Sequence, residues 1–198
     1  VVSVDVPSGV DGNSGAIWGC GVKADLTVTF CRAKPGHYLL PGRLMCGELA
    51  IRDIGISDQT ISEMRPNCWR NDPVLWRAGI HWPGLDGHKY HRGHLLAFGG
   101  ASMTGATRLV ARAARRSGVG LLTIVSDPVA LPVYASDTPG NMTAPIGQVE
   151  SLLNDCRHNA FVIGPGYGLG DDTRSLVLKL LHLCRSTVLD ADALTSFA

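Results

Sequence analysis

At 198 residues, with 45% hydrophobic and 18% charged side chains, the chain has enough apolar material for a buried core and reads as globular. Its net charge of +1, with no long run of either sign, excludes a general nucleic-acid binder or an anionic-membrane binder and leaves small molecules as the expected partners. No apolar stretch approaches the ~20 residues of a membrane helix, and the six scattered cysteines form no CxxC pair, so reduced thiols and a cytoplasmic location are expected.

In chain order, residues 1–56 predict short β-branched strands broken by Gly and Pro turns: Val1–Val6, Leu26–Phe30 and Glu48–Ile51. The first runs straight into the turn Pro7-Ser8-Gly9. Asp5 is thereby placed at the carboxyl end of a strand, where open α/β sheets bind ligands, and the Ser8 hydroxyl could serve a hard cation. An Asp in that position can equally cap the turn by accepting its amides, and both readings stay open. Lys34 and His37 flank Pro35-Gly36 and are read as shaping a loop rather than as catalytic groups.

The same stretch carries a resemblance. VDVPSGVDGNSG, then Lys23-Ala24-Asp25 with Thr27–Phe30, Lys34-Pro35-Gly36-His37, Cys46-Gly47-Glu48-Leu49 and Asp53-Ile54-Gly55-Ile56, in that order, is similar to the closing third of the NAD(P)H-hydrate epimerase family. The resemblance implies that Asp5 contacts the hydrated nicotinamide and carries the proton, and that Ser8 helps to hold K+. The family's glycine-rich substrate loop, and the Asn and Asp that complete its potassium site, are expected upstream of Val1.

Periodicity is lost over residues 57–86, where Trp69, Trp76 and Trp82 lie among Pro, Asn, Asp and Arg, and a linker is predicted. From His88 onward the pattern predicts a strand (His94–Phe98), the Gly99-Gly100 turn, a helix (about Thr104–Ser117) and a strand (Leu121–Ser126), which is a βαβ unit and hence a parallel sheet. After a loose stretch at 127–148 come a helix (Gln148–Arg157), a strand (Ala160–Ile163), a helix (Asp172–Cys184), a strand (Thr187–Asp190) and the start of a further helix. His88, Lys89, His91, Arg92 and His94 fit no zinc spacing and are expected at the surface. Arg112, Arg115 and Arg116 are expected on a solvated helix face, with Arg115 within reach of a phosphate.

Glycines between a strand and a helix start let a ligand approach the backbone, and the free N–H groups of the helix favour an anion, although a Gly-Gly turn commonly serves only helix-on-sheet packing. Here the turn is preceded by His88-Lys89 and Arg92-Gly93 and followed by Thr104-Gly105-Ala106, Arg116-Ser117-Gly118-Val119-Gly120-Leu121, Gly164-Pro165-Gly166-Tyr167-Gly168 and Asp190-Ala191-Asp192-Ala193-Leu194. That order resembles the NAD(P)H-hydrate dehydratase family, whose fold is ribokinase-like. The resemblance implies that Ala106, Gly164, Gly166 and Gly168 line the pocket for the hydrated dinucleotide. It also implies that Asp190 stands near the phosphates of a bound nucleotide; Asp192 is read as a helix N-cap.

The expected architecture is α/β: residues 1–56 as the end of a Rossmann-like epimerase domain, 57–86 as linker, and 87–198 as the first part of a ribokinase-like parallel-sheet domain. The chain opens without Met and stops inside a predicted helix, so an internal piece of a bifunctional enzyme is expected. The resemblance implies K+ for the epimerase, ADP or ATP with Mg2+ for the dehydratase, hydrated NADH and NADPH as substrates, and a homo-oligomer of the complete enzyme. The dehydratase base, an Asp in a later glycine-rich motif, is expected beyond Ala198, leaving the piece itself inactive. A ribokinase-like kinase for a vitamin precursor or sugar, or an inert nucleotide-binding module, stand as alternatives.

Overall fold

The computed structural model describes residues 1–80, 84 and 86–198 and divides into two compact units, Val1–Ile80 and His81–Ala198. Trp82, assigned to the linker on sequence, lies outside the described residues.

The first unit is a parallel three-stranded sheet in the order β1 (Val2–Val4), β2 (Leu26–Phe30), β3 (Glu48–Arg52). β1 is shorter than the predicted Val1–Val6 because Asp5 turns into the left-handed region, φ +67°, which breaks the extended chain. The faces of this sheet invert the usual polarity. Thr27 and Thr29 are fully buried, the Thr27 hydroxyl donating to the Cys46 carbonyl at 2.7 Å, whereas Val2 and Val4 stand open to solvent. After β3 the segment 57–80 holds two short helices, α1 (Asp58–Glu63) and α2 (Pro73–Trp76), capped by Ser57 and Asp72. Nearly all of that segment is exposed, as few regular elements would leave it.

The second unit is a parallel sheet in the order β6-β5-β4-β7-β8. Its elements follow as β4 (His94–Phe98), α3 (Thr104–Arg116), β5 (Leu121–Ser126), α4 (Leu131–Asp137), β6 (Met142–Pro145), α5 (Val149–Asn154), β7 (Ala160–Ile163), α6 (Asp171–His182), β8 (Ser186–Leu189) and α7 (Asp192–Thr195). β4 is central, and all five of its residues are buried. Leu96 and Phe98 pack with Leu153 of α5, Val177 and Leu180 of α6 and Ala193 of α7; Leu95 and Ala97 pack with Ala111 of α3 and Tyr134 of α4. Helices therefore cover both faces, the doubly wound arrangement that continuous apolar strands such as Leu95–Phe98 require.

Three expectations are corrected. The loose stretch 127–148 contains α4 and the edge strand β6. His94 is not at the surface: it is 7% exposed, because β4 is covered on both faces, and its Nε2 pairs with the Thr123 hydroxyl at 2.8 Å. Arg112 is not merely solvated: with Arg108 it grips the Asp137 carboxylate at 2.7 and 2.6 Å, which lowers that carboxyl to about 2. No helix among the described residues is long and apolar enough to cross a membrane.

Candidate functional sites

In the first unit, Asp5 follows β1 directly, and its amide donates to the Val28 carbonyl at 2.7 Å. Its carboxylate takes side-chain donors, not turn amides: the Thr29 hydroxyl at 2.8 Å and the Lys34 ammonium, both on Oδ1. Lys34 also donates to the Thr29 hydroxyl at 2.9 Å. The Lys34 ammonium and, after it, the Thr29 hydroxyl hold the Asp5 carboxyl below the usual carboxylate range. Turn capping falls instead to Asp11, which accepts the amides of Asn13 and Ser14 at 2.8 Å each.

His37, 3% exposed, reaches the same residue from the other side. The Lys34 amide donates to its Nδ1 at 2.9 Å, so the ring proton lies on Nε2, which donates to the Asp5 carbonyl at 2.8 Å. Lys34 and His37 thus belong to the Asp5 site and do more than shape the loop expected of them. They lie 29 and 32 residues from Asp5, and only the pairing of β1 with β2 brings them there. Ser8 sits on the exposed turn, its carbonyl accepting the Val22 amide at 2.9 Å.

In the second unit, sheet order reverses between β4 and β7: the chain runs outward from β4 through β5 to β6, then returns to place β7 and β8 on the opposite side. A crevice outside the carboxyl ends of the strands at such a switch point is where open α/β sheets bind ligands. Both glycine loops are there, Gly99-Gly100 after β4 and Gly164–Gly168 after β7. The two loops touch. A Cβ on Gly100 would lie 1.8 Å from the Gly166 carbonyl oxygen, and the Thr107 hydroxyl of α3 donates to the Pro165 carbonyl at 3.1 Å. Ala106, half-buried in the first turn of α3, immediately precedes Thr107.

The loops are fixed from behind by buried residues that belong to no motif. The Tyr134 hydroxyl, fully buried, donates to the Gly100 carbonyl at 2.8 Å, and the Ser126 hydroxyl donates to the Gly99 carbonyl at 2.8 Å. Gly164 holds φ +122° with its Cα against the Asp190 carbonyl. Gly168 is clamped by the Asp192 carboxylate, which accepts its amide at 2.8 Å, and by the Thr173 hydroxyl, which donates to its carbonyl at 2.7 Å. Asp192 is thus a loop tether across to Gly168, not the N-cap expected; the N-cap position of α7 is Ala191. The Asp190 carboxylate is exposed just past the end of β8 and accepts no hydrogen bond among the described residues.

Comparison with known proteins finds matches in both units. The family model described as NAD(P)H-hydrate dehydratase matches residues 94–198, and the model for the YjeF-related protein N-terminus matches residues 1–36. The bifunctional NAD(P)H-hydrate repair enzyme Nnr of Coxiella burnetii is 36% identical over the whole chain, and that of Archaeoglobus fulgidus is 34% identical over 98% of it. The chain spans 41% of the length of each of these relatives. A ribokinase-like superfamily protein from Enterococcus faecalis superposes with a TM-score of 0.52 at 25% identity, over 60% of this chain and 43% of its own. A Streptococcus mutans protein at 22% identity and TM-score 0.52, covering 62% of this chain and 46% of its own, supports the same fold.

Proposed function

Because the chain belongs to the NAD(P)H-hydrate dehydratase family, we propose that its parent protein repairs hydrated NADH and NADPH in two steps. The R and S hydrates are interconverted at the site around Asp5, and the S hydrate is dehydrated at the site between β4 and β7. The observation that carries the reading is the meeting of two glycine loops at the switch point of the second sheet, with a free carboxylate, Asp190, one strand away.

ADP or ATP with Mg2+ would supply the phosphoryl group that turns the substrate hydroxyl into a leaving group. The chain's own part is positioning. Gly100, Gly164 and Gly166 have no room for a side chain, so backbone alone forms that wall, whereas a Cβ on Gly168 would meet nothing within 4 Å, so its side of the loop is open to a ligand. The first turn of α3, with Ala106, offers backbone N–H groups to an anion. In the first unit the Asp5 carboxylate is the proton carrier, and Ser8 would lend one oxygen to K+.

The test is the complete enzyme supplied with the S hydrate and ADP or ATP, followed by the return of reduced-nicotinamide absorbance. A small-molecule kinase would consume nucleotide without restoring that band, and an inert module would do neither; either result defeats the proposal. The chain as given should bind weakly and restore nothing, since the base is assigned to a later motif. Asp5→Asn in the complete enzyme should stop exchange of R and S while dehydration of the S form continues. Limited proteolysis should cut first between residues 57 and 86, the segment assigned as linker.

A further inference from the structure

We propose that Lys34 is the positioning residue of the epimerisation site, clamping Oδ1 of Asp5 so that Oδ2 is the atom that takes and returns the substrate proton. The inference rests on the epimerase reading of the first unit and deepens it. The Lys34 ammonium and the Thr29 hydroxyl both donate to Oδ1, whereas Oδ2 accepts no hydrogen bond among the described residues. The Asp5 side chain is 47% exposed, so an incoming ligand can reach the carboxylate. Two donors on one oxygen stop the carboxylate from rotating and leave one defined acceptor, the preorganisation that proton transfer exploits. The cycle is balanced: the O–H bond of the added hydroxyl breaks as one forms at Oδ2, the hydrated ring carbon becomes a carbonyl as its bond to the ring nitrogen opens, and closure on the opposite face re-forms that bond as Oδ2 returns the proton to oxygen, with no net change in Asp5.

Lys34 acts on Asp5 twice, by routes that a substitution can separate. Its amide sets the His37 tautomer, and through it the Asp5 carbonyl; its side chain sets the carboxylate. Changing the side chain leaves the amide route, and the left-handed turn at Asp5, in place. Half-exposed ion pairs contribute little to stability, so the principal consequence of losing the ammonium is on the carboxylate's geometry and charge.

The experiment uses the complete bifunctional enzyme without nucleotide, following interconversion of separated R and S hydrates of NADH, with circular dichroism to confirm folding. Lys34→Ala should lower kcat by on the order of a hundredfold, with KM changed by less than about threefold. Lys34→Arg should retain most of the rate, and ethylammonium ions added to Lys34→Ala should restore part of it. If Lys34→Ala does not fold, Lys34→Gln, which keeps a donor without the charge, is measured in its place, and the same loss is expected. An unchanged kcat in the neutral variant, or a loss that neither Arg nor added ethylammonium relieves, overturns the proposal. Failure of the epimerase reading looks different: the unaltered enzyme, or Asp5→Asn, would then give the wrong result whatever Lys34 does.

Discussion

At the end of β1 the site is made of side chains, an Asp, a Lys, a Thr and a His tied together over 32 residues of sequence; at the ends of β4 and β7 it is made of backbone, with side chains kept behind it as struts. The first arrangement stands half-exposed on a sheet whose apolar face, Val2 and Val4, is open. The second is set on a sheet buried on both faces. The contrast separates stability from chemistry. A side-chain site can lose its chemistry with the fold intact, whereas a backbone site cannot be altered without straining the elements that present it.

The largest effect should therefore come from Gly164→Ala. The added Cβ would lie 1.7 Å from the Asp190 carbonyl oxygen, and φ +122° is a conformation that alanine rarely adopts. Overpacking against backbone and left-handed strain together should cost about 4 kcal/mol, read as a lower urea midpoint of unfolding. A loss below about 1 kcal/mol, within the range of ordinary surface changes, would break the contrast.

Acid should act on the second unit through His94. Burial, and then the neighbouring His158, push its pKa from the ordinary 6.5 to about 4. The folded state keeps the ring neutral while the unfolded chain binds a proton below 6.5, so stability is full above that pH and declines as pH falls from 6.5 to 4, by up to about 3 kcal/mol. Thermal melts across that window should show the decline, and His94→Leu should flatten it. A decline of the same size in the variant would assign the acid sensitivity elsewhere.

Tyr134→Phe isolates one strut. The ring still fills its place, but the buried Gly100 carbonyl loses its donor, at a cost of about 1–2 kcal/mol, and the Gly-Gly loop should lose affinity for ligand. An unchanged urea midpoint would mean that Ser126 and the contact with Gly166 hold the loop by themselves.

What the sequence revealed follows the same division. The central strands Leu26–Phe30, His94–Phe98, Leu121–Ser126 and Ala160–Ile163 were legible to the residue, because short runs rich in β-branched and apolar residues, ended by turn-forming or polar residues, are what parallel strands require. α4 and β6 were not. α4 has Pro132 in its first turn and buries only Tyr134, and β6 is a four-residue edge strand ending in Pro145, so neither repeats a pattern long enough to read. Asp5 and the glycines could be singled out because their residue types are chemically marked. Lys34 and His37 stand out by type but read as loop residues, and Tyr134 does not stand out at all, since what makes them part of a site is a contact across the fold that no local spacing encodes.

The smallest stability effect should come from Asp5→Asn, where the contrast is sharpest. Asparagine tolerates positive φ nearly as well as aspartate, so the turn at φ +67° is retained. The backbone bonds from the Asp5 amide to Val28 and from His37 Nε2 to the Asp5 carbonyl do not involve the side chain. The amide oxygen can still accept from Thr29, and only the half-exposed pairing with Lys34 loses its charge, a change of about 1 kcal/mol or less. Urea midpoints should thus barely separate the variant from the parent, while exchange of R and S hydrates in the complete enzyme is lost, because a carboxamide is too weak a base to take up a proton at neutral pH. A large drop in stability would show that the Asp5–Lys34 pair holds the first unit together, and the side-chain site would then be as structural as the backbone one.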